Sequence, residues 1–458
     1  MDEDREYIDN LADNAADDIM DGDEVKEEAQ TKSVFKNKNF VLLLQGRFTS
    51  DIASTFYSFA LSFYILVITN NNALIQGIYL ASTGLIFVLV SLVGGVLADR
   101  WNKVKIIFGS DFIKGGSILL SLIPLFIFIR NGNNIGQVVV LFSIGVINSI
   151  IQAIFSPATT AIVPEIVERN QLQQANSFGQ GLSSFVSILG IVLAGVFYAI
   201  LPITVLFIMV GALYVVSGIT ELFIKVPYEH ENDQNLTMKD VMHDLSDGFK
   251  FVFSSKALLT VMFAVLLINF FFVPIDSNFF PYFIETEVTG SNYMFNSFLK
   301  PELWQSIASV IFCVTSLITA IILGSKKQKE HYNKSIKLWL LPFGIIFLLS
   351  TIIYGLFIEK SINVVLISIC VTMAVSGVSV IAFNISTSVV MQRDVPMDKH
   401  AKVSSVLNIG TQGLSPIAAL LGGIVLEFAG CLTLLIACSA GMFLVIILLA
   451  CSKKVNEL

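Results

Sequence analysis

Charge is what this sequence has least of. Only 14% of its 458 residues are Asp, Glu, Lys or Arg, whereas 55% are hydrophobic and the mean hydropathy is +0.77. In a soluble globular protein roughly a quarter of the residues are charged. A lipid bilayer is therefore the expected environment of most of this chain, and a nucleic acid is not an expected partner.

The sequence also lacks the patterns of several other functional classes. The nucleotide-binding pattern GxxxxGK[ST] is absent, so we do not expect ATP bound to this chain to be the energy source. No nucleophile–base pair and no metal-ligand spacing is visible, so we expect neither an enzyme nor a cofactor or metal site. The five cysteines fall in apolar segments or at their ends and are expected to be small hydrophobic residues: Cys313, Cys370, Cys431, Cys438 and Cys451.

The acidic residues gather at the N-terminus. Residues 1–30 contain 13 acidic and 2 basic residues, while the whole chain has a formal net charge of −7. This segment has neither an apolar periodic face nor the hydrophobic core of a signal peptide. We predict a disordered cytoplasmic tail over residues 1–35; a regulatory role for the tail is the alternative.

Twelve apolar runs are long enough to cross a bilayer as helices. They lie near 40–69, 74–98, 104–129, 137–163, 175–200, 203–224, 257–284, 304–324, 336–358, 362–391, 403–428 and 431–451. They predict two six-helix bundles, over 36–224 and 257–451, and a cytoplasmic tail at 452–458. The connection 225–256 is the linker, and its apolar periodicity predicts an amphipathic helix at the membrane surface.

The basic residues predict the orientation of the spans. If both termini are cytoplasmic, the outside loops hold only Arg130, Lys300 and Lys360 of the 28 Lys and Arg, and two others lie within spans. Cytoplasmic loops of membrane proteins are enriched in Lys and Arg. Both termini are therefore expected in the cytoplasm.

An internal repeat supports a duplicated bundle. Shifted by 232 residues, Val163-Pro164 aligns with Val395-Pro396, and the segment 180–183 recurs as 412–415 with all four residues identical. Spans 4 and 5 then correspond to spans 10 and 11, as in transporters built from two parallel repeats.

The loop between spans 2 and 3 carries a family resemblance. Residues 95–103 read Gly-x-Leu-Ala-Asp-Arg-x-x-Lys, which resembles the loop between helices 2 and 3 of the major facilitator superfamily. The resemblance implies an all-α membrane protein with 12 transmembrane helices in two pseudo-symmetric bundles around a cavity. It also assigns Gly95, Asp99, Arg100 and Lys103 to a conformational switch.

A second pair of segments resembles one branch of that superfamily. Residues 156–167 and 172–177, together with Asp111-x-x-Lys114 in span 3, are similar to the macrolide-efflux-type branch, also called drug:proton antiporter group 3. The resemblance implies proton-driven export of amphipathic small molecules across a bacterial cell membrane. Residues 190–195 lack the proline of the usual antiporter element, which leaves a lipid or metabolite transporter of the same fold as the alternative.

Inserting a charged residue at the centre of a membrane helix costs about 2.5–3.5 kcal/mol, so charged residues within spans are candidates for a functional role. Arg47 and Asp51 are four residues apart on span 1, hence on one face, and Asp51 is the leading candidate for proton coupling. Asp276, beside Pro274 in span 7, is the second. The alternatives are a static Arg47–Asp51 ion pair and, for Asp276, hydrogen bonds to backbone groups freed by the proline.

Two acidic residues are expected in other roles. Asp111, with Lys114, is assigned to a charge network with Asp99 and Arg100 that holds the cytoplasmic side closed. Glu221, at the end of span 6, is expected at the membrane interface.

Uncharged side chains supply the cavity candidates. Amides on spans 4, 10 and 11 and aromatic rings on spans 1 and 7 are expected to contact a small-molecule substrate, with ordinary helix packing as the alternative. These candidates are Asn148, Gln152, Asn384, Asn408, Gln412, Phe56, Tyr57 and Phe272. One chain contains both bundles, so we expect it to function as a monomer.

Overall fold

The computed structural model describes residues 34–168, 171–226, 256–297, 299–324, 333–394 and 413–451, together with residues 250, 253 and 254. Long helices account for nearly all of this part of the chain, and none of the described residues forms a strand. Eleven of the described helices are long and apolar enough to cross a membrane. One of them, Ser415–Cys451, is broken at Gly430, whose backbone φ of 79° is left-handed. The break divides this element into two helices, which brings the structure to the twelve predicted spans.

The helices are numbered α1 to α12 in chain order. In the first half they are Lys38–Ile68, Ala73–Arg100, Lys103–Arg130, Asn134–Ala161, Leu172–Ile200 and Ile203–Glu221. In the second half, α7 begins at Lys256, and α8, α9 and α10 are Leu303–Gly324, Asn333–Phe357 and Ile362–Asp394. Residues 415–429 and 431–451 form α11 and α12.

Asparagine caps the first four helices. Asn37, Asn72, Asn102 and Asn133 each accept a hydrogen bond from a backbone N–H in the first turn of α1, α2, α3 and α4. The first N–H groups of a helix have no partner within it, so an asparagine oxygen at this position stabilises the helix by about 1 kcal/mol. A single asparagine thus marks the start of α1 and the end of each of the three connections that follow it.

Helix α7 is irregular where the sequence places proline. Its α-helical part, Lys256–Val273, continues into the π-helical turn Pro274–Phe279, then Phe280–Phe283 and a second π-helical turn, Ile284–Val288. Proline has no N–H to donate and crowds the preceding turn, which favours a wider turn at this point. The irregular segment carries Asp276 and Asn278.

The two bundles meet tightly at the end of the molecule that carries the α1–α2 connection, residues 69–72, which we call the 69–72 end. There, Gly77 of α2 packs against Gly423 of α11, and Glu427 accepts a hydrogen bond of 2.8 Å from the backbone N–H of Ala73. Helix α5 meets α8 at the same end, where the Ser306 hydroxyl donates to the carbonyl of Ile191 at 3.0 Å. These contacts close the 69–72 end.

Some predicted features lie at or beyond the limits of the described residues. Apart from residues 250, 253 and 254, the segment of the linker in which we predict an amphipathic helix lies outside them, as does the tail after residue 451. Of the predicted N-terminal tail, residues 1–35, the structure describes Val34 and Phe35, which form a short 3-10 turn with Lys36. Val34 is buried there, and its N–H donates to Gln174 of α5 at 3.2 Å.

Candidate functional site

A group of polar side chains is buried inside the first bundle, between α1, α3 and α6. We call it the buried polar cluster; each member is at most 2% exposed. Its members are Ser50, Asp111, Lys114, Ser217 and Glu221. Unpaired charges are costly in the interior of a membrane protein. The contacts among the members of the cluster therefore show which of the charges are compensated.

Lys114 is held by groups from three helices. Its ammonium lies 3.7 Å from the carboxylate of Asp111, one turn earlier on α3, and donates a hydrogen bond of 2.7 Å to the Gln152 side chain of α4. It also lies 4.0 Å from the ring centre of Phe155 and 5.4 Å from that of Tyr214, within cation–π range. Asp111, Gln152 and the two rings together compensate the Lys114 charge.

Asp111 is partnered less completely. The Ser50 hydroxyl of α1 donates a hydrogen bond of 3.0 Å to one carboxylate oxygen, while the other oxygen has no hydrogen-bond partner. The predicted network with Asp99 and Arg100 cannot be traced, because those two side chains lie outside what the structure describes. Among the described residues, Asp111 and Lys114 face the interior of the bundle.

Glu221 was expected at the membrane interface, and that expectation is wrong. Its side chain is fully buried and packs against Gly46 of α1, where the absence of a side chain leaves room for the carboxyl group. The Ser217 hydroxyl beside it donates to the carbonyl of Gly46 at 2.8 Å, and both carboxyl oxygens of Glu221 lack a hydrogen-bond partner. A signal was present in the sequence: Tyr214, Ser217 and Glu221 recur at helical spacing on a helix whose lipid-facing side is apolar.

Asp51 lies half-buried on α1, beside the cluster. The positively charged groups near it are Arg47 and Lys114. Arg47 points toward α5, where its guanidinium donates a hydrogen bond of 3.4 Å to Ser183. No ion pair joins Arg47 to Asp51, although both side chains belong to the described residues. The static Arg47–Asp51 ion pair, which was the alternative to a role in proton coupling, is therefore not formed in this conformation.

A pocket of about 300 Å³ adjoins the buried polar cluster. Helices α1, α2, α3, α4 and α6 line it, and three predicted cavity residues, Tyr57, Asn148 and Gln152, lie on its walls together with Lys114. The Asn148 amide donates to the carbonyl of Ile144 at 3.0 Å, and its buried side-chain oxygen has no partner. Lys114 is thus shared by the pocket and the cluster.

The other cavity candidates lie elsewhere. Phe56 packs against Phe197, with ring centres 5.6 Å apart, and Phe272 packs against two rings of α9, Phe343 and Phe347. Asn384 is exposed on α10. Two further candidates lie outside the described residues: Asn408 and Gln412.

Asp276 lies on the first π-helical turn of α7 and is exposed, whereas its neighbour Asn278 is fully buried. Both polar atoms of the Asn278 side chain lack a hydrogen-bond partner, and Gly422 of α11 packs directly on Pro274. The structure therefore separates the two proton-coupling candidates, Asp51 in the first bundle and Asp276 in the second.

The loop between α2 and α3 is tied to the segment that follows α4. The Lys103 ammonium lies 2.6 Å from the Glu165 carboxylate of the short helix Val163–Ile166. The surroundings of Gly95, Asp99 and Arg100 lie outside what the structure describes, but Gly94 packs directly on the Ala153 carbonyl of α4. Glycine at this position lets α2 and α4 approach closely.

The Lys103–Glu165 pair gives a testable expectation. Reversing one charge, as in Lys103→Glu, should lower the free energy of unfolding by about 1 kcal/mol, because two carboxylates would repel each other between these segments. The double variant Lys103→Glu/Glu165→Lys should recover most of that stability. Thermal unfolding in detergent measures both variants, and an equal loss of stability in the single and double variants would show that the pair does not hold these segments together.

Comparisons with known proteins agree with this architecture. The family model of the Major Facilitator Superfamily matches residues 43–420. The uncharacterised MFS-type transporter YkuC of Bacillus subtilis is 22% identical over 318 residues, which cover 67% of this chain and 69% of that protein. Macrolide efflux protein A of Streptococcus pyogenes is 23% identical over 247 residues, 52% of this chain and 57% of that protein.

Solved structures show the same fold at low identity. A bacterial homologue of the iron transporter ferroportin, in an inward-facing state, superposes with a TM-score of 0.67 and 14% identity over 92% of this chain and 100% of that chain. A POT family transporter in complex with 5-aminolevulinic acid gives a TM-score of 0.69 and 13% identity over 91% of this chain and 96% of that chain. The predicted fold of two six-helix bundles is confirmed.

Proposed function

Because the chain belongs to the Major Facilitator Superfamily and is therefore a transporter rather than an enzyme, we propose that it exports amphipathic small molecules in exchange for protons. The substrate pocket would open alternately to the two sides of the membrane, and the proton gradient would supply the energy. We place both termini in the cytoplasm, as the distribution of Lys and Arg favours. The resemblance to macrolide efflux protein A supports export as the direction of transport.

The observation that carries the proposal is the position of Lys114. Its side chain lines the pocket and at the same time pairs with Asp111 in the buried polar cluster. A substrate in the pocket and a proton in the cluster would therefore act on the same ammonium group. An exchanger requires such a link, because binding of one ligand must change the affinity for the other.

The lining of the pocket supports an amphipathic substrate. Tyr57, Asn148 and Gln152 offer hydroxyl and amide groups, while Leu61 and Phe87 offer apolar surface. Pockets that bind drug-like molecules combine a mostly apolar lining with a few polar groups that fix orientation.

In this proposal Asp51 carries the exchanged proton. It lies half-buried beside the cluster, and the positive charges of Arg47 and Lys114 act on it. Protonation of Asp51 would remove a negative charge and change the balance between these two cations and Asp111. Asp276 of α7 is the second proton site, reached from the other bundle.

The test uses isosteric substitutions in reconstituted vesicles. Asp51→Asn should abolish efflux of a macrolide driven by a pH gradient, because the amide cannot bind and release the exchanged proton. Exchange of labelled for unlabelled macrolide without a gradient should persist in the same variant, which shows that the protein is folded and binds its substrate.

Asp276→Asn is the parallel variant, and Glu427→Gln is the matched control. The Glu427 carboxylate caps α2 at the 69–72 end, away from the pocket, so its loss should leave coupling unchanged. Unaltered gradient-driven efflux in both Asp51→Asn and Asp276→Asn would refute proton coupling. Headgroup translocation of lipids above that of empty vesicles would favour the lipid transporter instead.

A further inference from the structure

We propose that Glu221 is a further proton-binding carboxyl group of the transport cycle, in addition to Asp51 and Asp276. Glu221 keeps its proton in the conformation described here and releases it when the Lys114 ammonium turns toward it. The inference rests on the proposed exchange of substrate for protons and adds a residue to the same site.

Burial and missing partners argue for the protonated form. The Glu221 side chain is fully buried, and neither of its oxygens accepts a hydrogen bond. An ionised carboxylate buried without donors costs several kcal/mol, so such a group remains neutral instead. The neighbouring Ser217 hydroxyl does not change this, because its proton is already donated to the Gly46 carbonyl.

The charges on the surrounding helices lead to the same conclusion. On α1 the charged groups nearest the cluster are Arg47, which donates to Ser183 on α5, and Asp51. On α3 the buried charged groups are Asp111 and Lys114, which already pair with each other. Helix α5 contributes none, because residues 172–200 contain no Asp, Glu, Lys or Arg. The only titratable group on the same face of α6 is the phenol of Tyr214.

Two neighbouring carboxylates, Asp51 and Asp111, therefore oppose a third negative charge at Glu221. The single ammonium of the cluster is directed to Asp111 and Gln152. A proton on Glu221 leaves the cluster with two carboxylates instead of three.

Lys114 links this proton to the pocket. Its hydrogen bond to Gln152, 2.7 Å long, lies on the pocket wall, where a substrate would compete for the Gln152 amide. Released from Gln152, the ammonium would turn toward Glu221 and stabilise its carboxylate. The O–H bond of Glu221 then breaks, the proton passes to water on the cytoplasmic side, and the carboxylate pairs with Lys114. One substrate molecule enters as one proton leaves.

Infrared spectroscopy of the purified full-length protein tests the protonated state directly. At neutral pH the wild type should show the C=O stretching band of a buried, protonated carboxylic acid. The band should disappear in Glu221→Gln, persist in Glu221→Asp, and persist in the control Glu427→Gln. An unchanged band in Glu221→Gln would overturn the inference.

The ratio of protons to substrate tests the role in transport. In vesicles loaded with a macrolide, Glu221→Gln should release fewer protons for each molecule moved than the wild type. An unchanged ratio, with the band lost, would make Glu221 a structural acid and overturn the inference while proton coupling through Asp51 stands. If the wild type itself moves macrolide without moving protons, the proposed function is refuted, whatever the infrared band shows.

Discussion

Replacing Lys114 with methionine should destabilise the protein by about 3–5 kcal/mol, which is the usual cost of removing one partner from a buried ion pair. Methionine fills a similar volume but carries no charge. Asp111 would then be a buried carboxylate whose only hydrogen bond comes from the Ser50 hydroxyl. The Gln152 oxygen would also lose the donor that satisfies it.

The double variant Asp111→Asn/Lys114→Met separates charge from packing. It removes both charges, so most of the lost stability should return. Thermal unfolding in detergent compares the stability of the wild type, the single variant and the double variant. Lys105 is exposed at the start of α3, so the control Lys105→Met should unfold at the wild-type temperature. If Lys114→Met unfolds at the wild-type temperature, or if the double variant is no more stable than the single one, the ion pair is not what holds these helices.

Replacing Gly423 with leucine should prevent the bundles from closing at the 69–72 end. A side chain at Gly423 would begin 2.6 Å from the carbonyl oxygen of Ala73 and 2.8 Å from the Cα of Gly77, which are both backbone atoms of α2. Overpacking of this kind costs roughly 1–3 kcal/mol. That cost lowers the equilibrium constant for closing the 69–72 end by about 5- to 150-fold. Transport should fall accordingly, because the proposed cycle needs a state closed at the 69–72 end and this state becomes less populated.

Spin labels at Asn131 and Phe428 report this closure, because both residues are exposed near the 69–72 end and belong to different bundles. In a background without native cysteines, Gly423→Leu should lengthen the distance between the labels. Gly116→Leu is the matched control, since a side chain there meets nothing within 4 Å. An unchanged distance in Gly423→Leu, or an equal change in Gly116→Leu, would contradict a closing role for the α2–α11 contact.

The sequence predicted the large-scale features because they depend on local composition. Apolar length predicts each span, and the spacing of the last two runs anticipates the break at Gly430. The signature loop and the branch resemblance led to the superfamily, which the family model confirms. Asparagine before each of the first four helices was an additional signal that sequence reasoning overlooked.

The candidate site was harder to predict because it is assembled from distant segments. Arg47 and Asp51 share a helix face by spacing, yet Arg47 finds its partner on α5, 136 residues away. Glu221 is near the end of its helix, where an acid usually faces water. Its burial depends on Gly46, which leaves room for it across the bundle. Contacts of this kind depend on how the helices pack, which periodicity does not specify.

Substrate-evoked proton movement in reconstituted vesicles tests the central claim most directly. A pH-sensitive dye outside vesicles that contain the wild-type protein should report proton movement when a macrolide is added, and the signal should disappear in Asp51→Asn. Macrolide transport without any proton movement in the wild type would contradict the account, because the pocket and the buried polar cluster would then not be coupled.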